Sequence, residues 1–195
     1  MSRKSSEETR KRILDAAWKL LNSPDEPMRM ADVAAAAGVS RQAVYLHFPS
    51  RAELLVTTTR YIDEVEDVGG KLATVFAADT GREQLESFVG VWGNYIPVVY
   101  GGAKRLLDIR AEDPDAETAW QDRMTGLLAI CKRVVDTIAA EDQLADGLSK
   151  REATDLLWAT VSIGKWELLT IERKVTQKRY LELTLQTLVR TLLAA

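Results

Sequence analysis

Apolar residues in this chain recur at three- and four-residue spacing from residue 9 to residue 193, and no stretch alternates with period two over a useful length. The first pattern lays apolar side chains along one stripe of an α-helix, and without the second there is nothing to build a sheet from. An all-α fold is therefore predicted. With only 11 Gly and 5 Pro among 195 residues, few positions interrupt the helices. Hydrophobic residues at 46% and charged residues at 28% exclude a disordered chain and allow a sizeable core.

Local signals divide the chain. Ile13, Leu14, Ala17, Trp18, Leu20 and Leu21 give a helix over 9–21, stopped by the turn-forming 22–27. Short helices are predicted over 30–37 and 40–47, with Gly38 ending the first and Ser40 capping the second. Pro49 stops the latter, and Ser50 with Glu53 makes a capping box that opens a helix to about 68. Further helices follow over 82–96, 98–111, 115–140, 149–174 and 176–193, with Pro97 kinking or ending one of them.

Several classes are disfavoured. Cys131 is the single cysteine, so no intrachain disulfide or multi-cysteine zinc site can form, which fits a reducing compartment. No apolar run approaches the roughly 20 residues of a membrane span, and residues 1–12 lack the apolar core of a secretory signal. A cytoplasmic protein without membrane association is expected. One His and one Cys leave little for nucleophilic or metal chemistry, and no phosphate-cradling loop or dinucleotide fingerprint is present. No enzyme activity, cofactor or metal is expected.

Charge is unevenly spread. Residues 1–60 carry ten Lys/Arg against seven Asp/Glu, whereas residues 61–195 carry sixteen against twenty-two. A basic segment on an acidic body hints at nucleic acid at one end. The same end holds the most informative stretch, 30–48. Val33, Ala37, Val39 and Val44 form an apolar seam, Ala34 is small where two helices would touch, and Gly38 permits a tight turn. This spacing suits a helix-turn-helix, whose second helix enters the DNA major groove. Arg41 and Gln42 begin that helix; Arg matches guanine O6/N7 and Gln matches adenine, while Ala43 suits a thymine methyl.

Val33-Ala34, Ala37-Gly38-Val39-Ser40, Tyr45, Phe48-Pro49-Ser50-Arg51 and Glu53-Leu54 together resemble the DNA-binding signature of the TetR/AcrR family of bacterial transcriptional regulators. Three features depart from that signature: 22–27 replaces a Gly-aromatic pair, Met28 and Arg29 stand where Thr or Ser is usual, and Arg51 replaces Lys. The resemblance implies phosphate contacts by Tyr45, His47 and Arg51, with Ser40 as cap and phosphate ligand and Arg29 alongside. Plainer readings are a core role for Tyr45 or Phe48 and a solvated tail for Arg3 and Lys4.

The resemblance further implies a three-helix DNA-binding domain over 1–53, with 1–8 a flexible arm, and a helical effector-binding and dimerisation domain over 54–195. Partners would be double-stranded operator DNA, a second copy of the chain and a small apolar or aromatic effector. Dimer candidates are Ser162, Gly164, Trp166, Leu181, Leu185, Leu188 and Leu192. Effector candidates are Trp92, Tyr95, Tyr100, Trp120, Met124, Leu127 and Trp158, with polar help from Asp108, Arg110 or Thr160. Both sets also suit plain core packing. The functions implied are a repressor released from a palindromic operator by its effector or an activator of the same family; a helical ligand-binding protein that has lost DNA binding is a third reading.

Overall fold

The computed structural model describes residues 3–23 and 28–194, which fold as helices. The only strand-like pairing among them is a single antiparallel bridge between Leu144 and Leu193. The expected turn residues Pro24, Asp25, Glu26 and Pro27 lie outside the described residues, as does the side chain of Arg3.

Contacts divide the chain into two compact units. The first comprises residues 1–67 and 101–123. It holds α1 (Arg3–Leu21), α2 (Met30–Ala37), α3 (Arg41–His47) and α4 (Arg51–Val65), with the end of α6 (Gly81–Ile109) and the start of α7 (Pro114–Ala140). Its core forms where the apolar stripes meet: Ile13, Ala17 and Leu21 of α1, Val33 and Ala34 of α2, Val44 of α3, and Leu54 and Leu55 of α4 are all buried. The second unit, residues 68–100 and 124–195, holds α5 (Val68–Phe76) and the remaining parts of α6 and α7. It also holds α8 (Lys150–Thr160), α9 (Ile163–Trp166), a π-helical turn (Glu167–Glu172) and α10 (Gln177–Leu192).

Four boundaries differ from the sequence expectation, each for an identifiable reason. Helix α1 begins at Arg3, so residues 3–8, expected as a flexible arm, are helical. They carry no apolar stripe, which is why periodicity detects the helix only from Thr9; Thr9 Oγ1 donates to the Ser5 carbonyl at 2.9 Å along it. Helix α4 ends at Val65, where Asp67 follows with a left-handed φ of 48°, and α5 over Val68–Phe76 is a helix that the sequence reading did not assign. The expected single helix over 149–174 breaks where Ser162 caps α9 by accepting from the Lys165 N–H.

The fourth concerns Pro97, which neither ends nor splits α6. Proline has no N–H to give the carbonyl four residues earlier. That carbonyl belongs to Gly93, and it accepts instead from Gln177 Nε2 at 2.8 Å. Gln177 Oε1 in turn accepts from the buried Trp166 indole at 2.9 Å. A side chain of α10 thus supplies the hydrogen bond that the proline removes.

Close helix approach at the start of α6 depends on Gly81. A Cβ there would lie 2.8 Å from the backbone N and Cα of Ile138 on α7. The Gly81 N–H also donates to the Glu141 carboxylate, 3.0 Å from both oxygens.

Candidate nucleic-acid interface

Gly38, at φ 65°, ends α2 with its N–H on the Ala35 carbonyl, and the Val39 N–H returns to Ala34. Ser40 then accepts from the Ala43 N–H at 3.1 Å and starts α3. The chain is turned sharply with its helix ends satisfied, as the sequence predicts.

The seven-residue α3 has a clear inside and outside. Val44 is buried, as is Phe48 just beyond the helix. Arg41, Gln42, Tyr45 and Leu46 are exposed, Arg41 and Tyr45 forming one row and Gln42 and Leu46 the next. The Arg41 guanidinium lies 5.5 Å from the Tyr45 ring centroid and approaches its hydroxyl at 3.5 Å. This pair is loosely held and available to another partner. Ala43 and His47 flank the exposed face and are half-buried.

Leu46 was not singled out from sequence, yet at 79% exposure it is the most exposed large apolar side chain among the described residues. One apolar residue in water needs no explanation by itself. Here it stands one turn beyond Gln42 on a face otherwise bearing polar and aromatic groups. The signal in the sequence was its position two residues after Val44, on the side of α3 opposite the seam.

Arg29 and Arg51 occupy different situations. The Arg29 N–H donates to Asp32 Oδ2 at 2.9 Å, and its guanidinium grips the same carboxylate at 2.9 and 3.2 Å. These hydrogen bonds hold Asp32 below the usual carboxylate range. The pair is exposed, so a stronger anion can replace Asp32 at little cost.

Arg51, by contrast, is committed within the protein. Its Nε donates to the Met28 carbonyl at 2.8 Å, and its Nη1 reaches Asp113 at 2.8 Å and Asp115 at 3.3 Å. Phosphate contact, expected of this position from the resemblance, would have to displace those partners. The reason is tertiary: the turn between α6 and α7 brings two carboxylates to the first residue of α4. Asp113 also caps α7, accepting from the N–H groups of Asp115 and Ala116. Burial opposes ionisation of Asp113, but the Arg51 hydrogen bond and charge and the backbone donors outweigh it and lower its pKa.

Two more ion pairs extend this attachment. Arg60 of α4 meets Asp122, with Nε at 3.0 Å, and Asp63 receives both guanidinium arms of Arg123, one at 2.8 Å. On the other side of α4, the Tyr61 hydroxyl donates to Asp15 at 2.6 Å. Burial, followed by that bond, pushes the Tyr61 pKa up to about 12.

The effector candidates divide between the units. Asp108, Arg110 and Trp120 belong to the first and the others to the second. Asp108 is exposed and paired with Lys104 one turn back, so it faces solvent rather than an apolar pocket. Trp120 is buried beneath Arg110, whose guanidinium lies 5.6 Å from its ring. Thr160 is half-buried. Trp92, Tyr95 and Leu127 are buried, and the Trp92 indole donates to the Val161 carbonyl at 2.9 Å. Tyr100, Met124 and Trp158 are half-buried. Tyr100 donates to Glu167 at 2.7 Å, while the buried Trp158 Nε1 has no hydrogen-bond partner.

The dimer candidates also separate. Leu188 and Leu192, 1% and 0% exposed, face the core of their own chain, and Trp166 is buried against Tyr100. A leucine every three or four residues marks an apolar stripe without saying whether it faces inward or toward a second chain, and here tertiary packing consumes those three. Ser162, Gly164, Leu181 and Leu185 remain half-buried. Leu156, Leu168 and Ile171, absent from the expected set, are exposed.

An N-terminal helix-turn-helix with a polar, outward recognition face, joined to a helical remainder, defines a DNA-binding protein class. Residues 13–57 match the family model for bacterial regulatory proteins of the tetR family. A 62-residue stretch is 40% identical to the HTH-type transcriptional repressor LfrR of Mycolicibacterium smegmatis, covering 31% of this chain and 32% of that protein. The match thus spans about a third of the curated relative's length. Over nearly the whole chain, the fold is that of NalD, the secondary repressor of the MexAB-OprM multidrug efflux pump in Pseudomonas aeruginosa. That alignment has a TM-score of 0.68 at 21% identity and covers 97% of this chain and 98% of NalD. The transcriptional regulator FadR of Bacillus subtilis, solved with stearoyl-CoA, aligns with a TM-score of 0.74 at 16% identity, covering 92% and 97%. The N-terminal segment is thus similar to the DNA-binding part of tetR-family regulatory proteins, and the rest of the chain shares the fold of the solved regulators.

Proposed function

We propose that this protein is a homodimeric repressor that reads a palindromic operator through α3 and releases it when a small effector binds the helical region. The observation that carries the reading is the division of α3. Its apolar residues hold the helix in place, and Arg41, Gln42, Tyr45 and Leu46 are left outward together. In this reading Arg41 pairs with guanine, Gln42 with adenine, and Ala43 and Leu46 meet thymine methyls. Tyr45, His47, Ser40 and Arg29 contact phosphates and set the register.

Residues 1–53 serve as the DNA-binding domain and 54–195 as the effector and dimerisation domain. Leu181 and Leu185 on α10, with exposed Leu156 on α8, are assigned to the second copy. Tyr100, Met124 and Trp158, the half-buried members of the aromatic set, are assigned to the effector, and the unpartnered indole N–H of Trp158 supplies a directional contact. A shift of α7 on effector binding reaches the DNA module through Asp115, Asp122 and Arg123, which grip α4. An effector moves the equilibrium only by preferring the released arrangement.

Selection from random duplex DNA tests the reading. The expected product is a near-palindrome with half-sites about 34–36 Å apart or a multiple of that, lost with Arg41→Ala/Gln42→Ala. Recovery of no motif at moderate salt would refute sequence-specific binding.

A further inference from the structure

Helices α5 and α7 enclose an open groove of about 590 Å³ within the second unit. None of the residues assigned to effector, DNA or dimer lines it. The α5 wall is Gly69, Leu72, Ala73, Phe76 and Ala77, a single stripe at positions i, i+3, i+4, i+7 and i+8. The α7 wall is Ala129, Ile130 and Arg133. Leu72, Phe76 and Ile130 form a half-buried apolar floor, while Gly69, Ala73, Ala77 and Ala129 are exposed and too small to fill the space above it. A Cβ at Gly69 would meet nothing within 4 Å. The eight-residue span from Gly69 to Ala77 gives a groove about 12 Å long.

One charged group belongs to this groove. The Arg133 guanidinium lies 3.7 Å from the centroid of the Phe76 ring, pinned over the apolar floor. Neighbouring Lys132 is paired with Asp136, but no carboxylate of a described residue lies within ion-pair distance of Arg133. An oriented guanidinium beside apolar walls is poised to bind a carboxylate with two hydrogen bonds. The volume lies within the range of small-molecule sites, the groove is open to solvent, and Arg133 is the one charged residue of an otherwise apolar lining.

We propose that this groove binds an anionic amphiphile, its carboxylate on Arg133 and its apolar body along Phe76, Leu72 and Ile130 between the small residues. Charge complementarity selects this occupant. A cationic amphiphile would meet Arg133 with like charge, and a neutral one would strip water from the guanidinium without replacing it. Its lining includes none of Tyr100, Met124 and Trp158, and binding there requires no DNA.

The test is calorimetric titration of the full chain with two probes of equal tail length and opposite charge, decanoate and decyltrimethylammonium. Saturable binding of one decanoate per chain is expected, with no saturable binding of the cation. Ala73→Trp, at an exposed position, fills the groove and abolishes decanoate binding, and thermal melting of that variant checks that it remains folded. Gly69→Leu, which projects into open space, provides a second block should the tryptophan disturb folding. Arg133→Gln weakens decanoate binding about tenfold or more, whereas Arg133→Lys retains part of it. Absence of saturable decanoate binding, equal binding of the two probes, or full binding by folded groove-filling variants would each overturn the proposal.

Discussion

The Arg51 attachment yields a prediction that separates a structural arginine from a DNA-contacting one. Asp113→Ala removes the 2.8 Å charge-assisted bond to Arg51 and the cap of α7. Such a bond contributes about 1.5–3 kcal/mol and a helix cap about 1 kcal/mol. Asp115 stays within 3.3 Å of Arg51, and both members of the main pair are about a quarter exposed, so the sum must be discounted for the remaining partner and for solvent screening. A loss of about 2–3 kcal/mol in unfolding free energy is expected, measured by urea denaturation with tryptophan fluorescence at fixed protein concentration. Asp113→Asn keeps a capping oxygen and loses only the charge, costing about 1 kcal/mol. A double-mutant cycle with Arg51→Ala should show coupling of about 1–2 kcal/mol. The pH dependence fixes the sign. The folded pKa of Asp113 is depressed, so its ionised form stabilises the fold above the unfolded carboxylate value near 3.9, and that stability is lost as pH falls through the lower folded value. The gap between wild type and Asp113→Asn should therefore close below about pH 4. Zero coupling in the cycle, or an Arg51→Ala variant that folds with unchanged stability and loses only DNA affinity, would refute the reasoning.

Gln177→Ala should cost about 2–3 kcal/mol in the same denaturation assay, because it orphans the Gly93 carbonyl and the Trp166 indole together. An additional Pro97→Ala change, which restores an N–H for Gly93, should recover part of that loss. Leu46→Ala should weaken binding to the selected duplex about tenfold, corresponding to roughly 1–2 kcal/mol of apolar contact. Replacing thymine by uracil at one half-site position should produce the same loss in the wild type and none in the variant, and equal losses in both proteins would remove Leu46 as a methyl reader. Cys131 is buried, and burial pushes its thiol pKa up to about 12, so it should resist iodoacetamide at neutral pH in the folded protein and react once urea unfolds the chain. Rapid labelling without unfolding would contradict its placement in the core.

Whatever depends on a few consecutive residues was decided by the sequence. The stripe from Ile13 to Leu21, the Ser40 and Ser50 caps and the positive-φ turn at Gly38 are local, because each satisfies its own backbone or buries its own face. The outward placement of Arg41 and Gln42 follows from them, since a seven-residue helix anchored through Val44 and Phe48 has one face left for solvent. Long-range partners were invisible to that reasoning. Nothing near Arg51 in the sequence announces its partners Asp113 and Asp115, which the turn between α6 and α7 delivers from some sixty residues on. Pro97 reads as a helix end until Gln177 arrives eighty residues later with a replacement donor. Leu188 and Leu192 carry a spacing equally fit for a core or an interface, and only packing turns them inward. Periodicity is a property of one helix, whereas the partner on its apolar side is chosen by the whole chain. For the same reason no short segment announces the groove of Arg133, whose floor and cation are shared by two helices that meet only when the chain has folded.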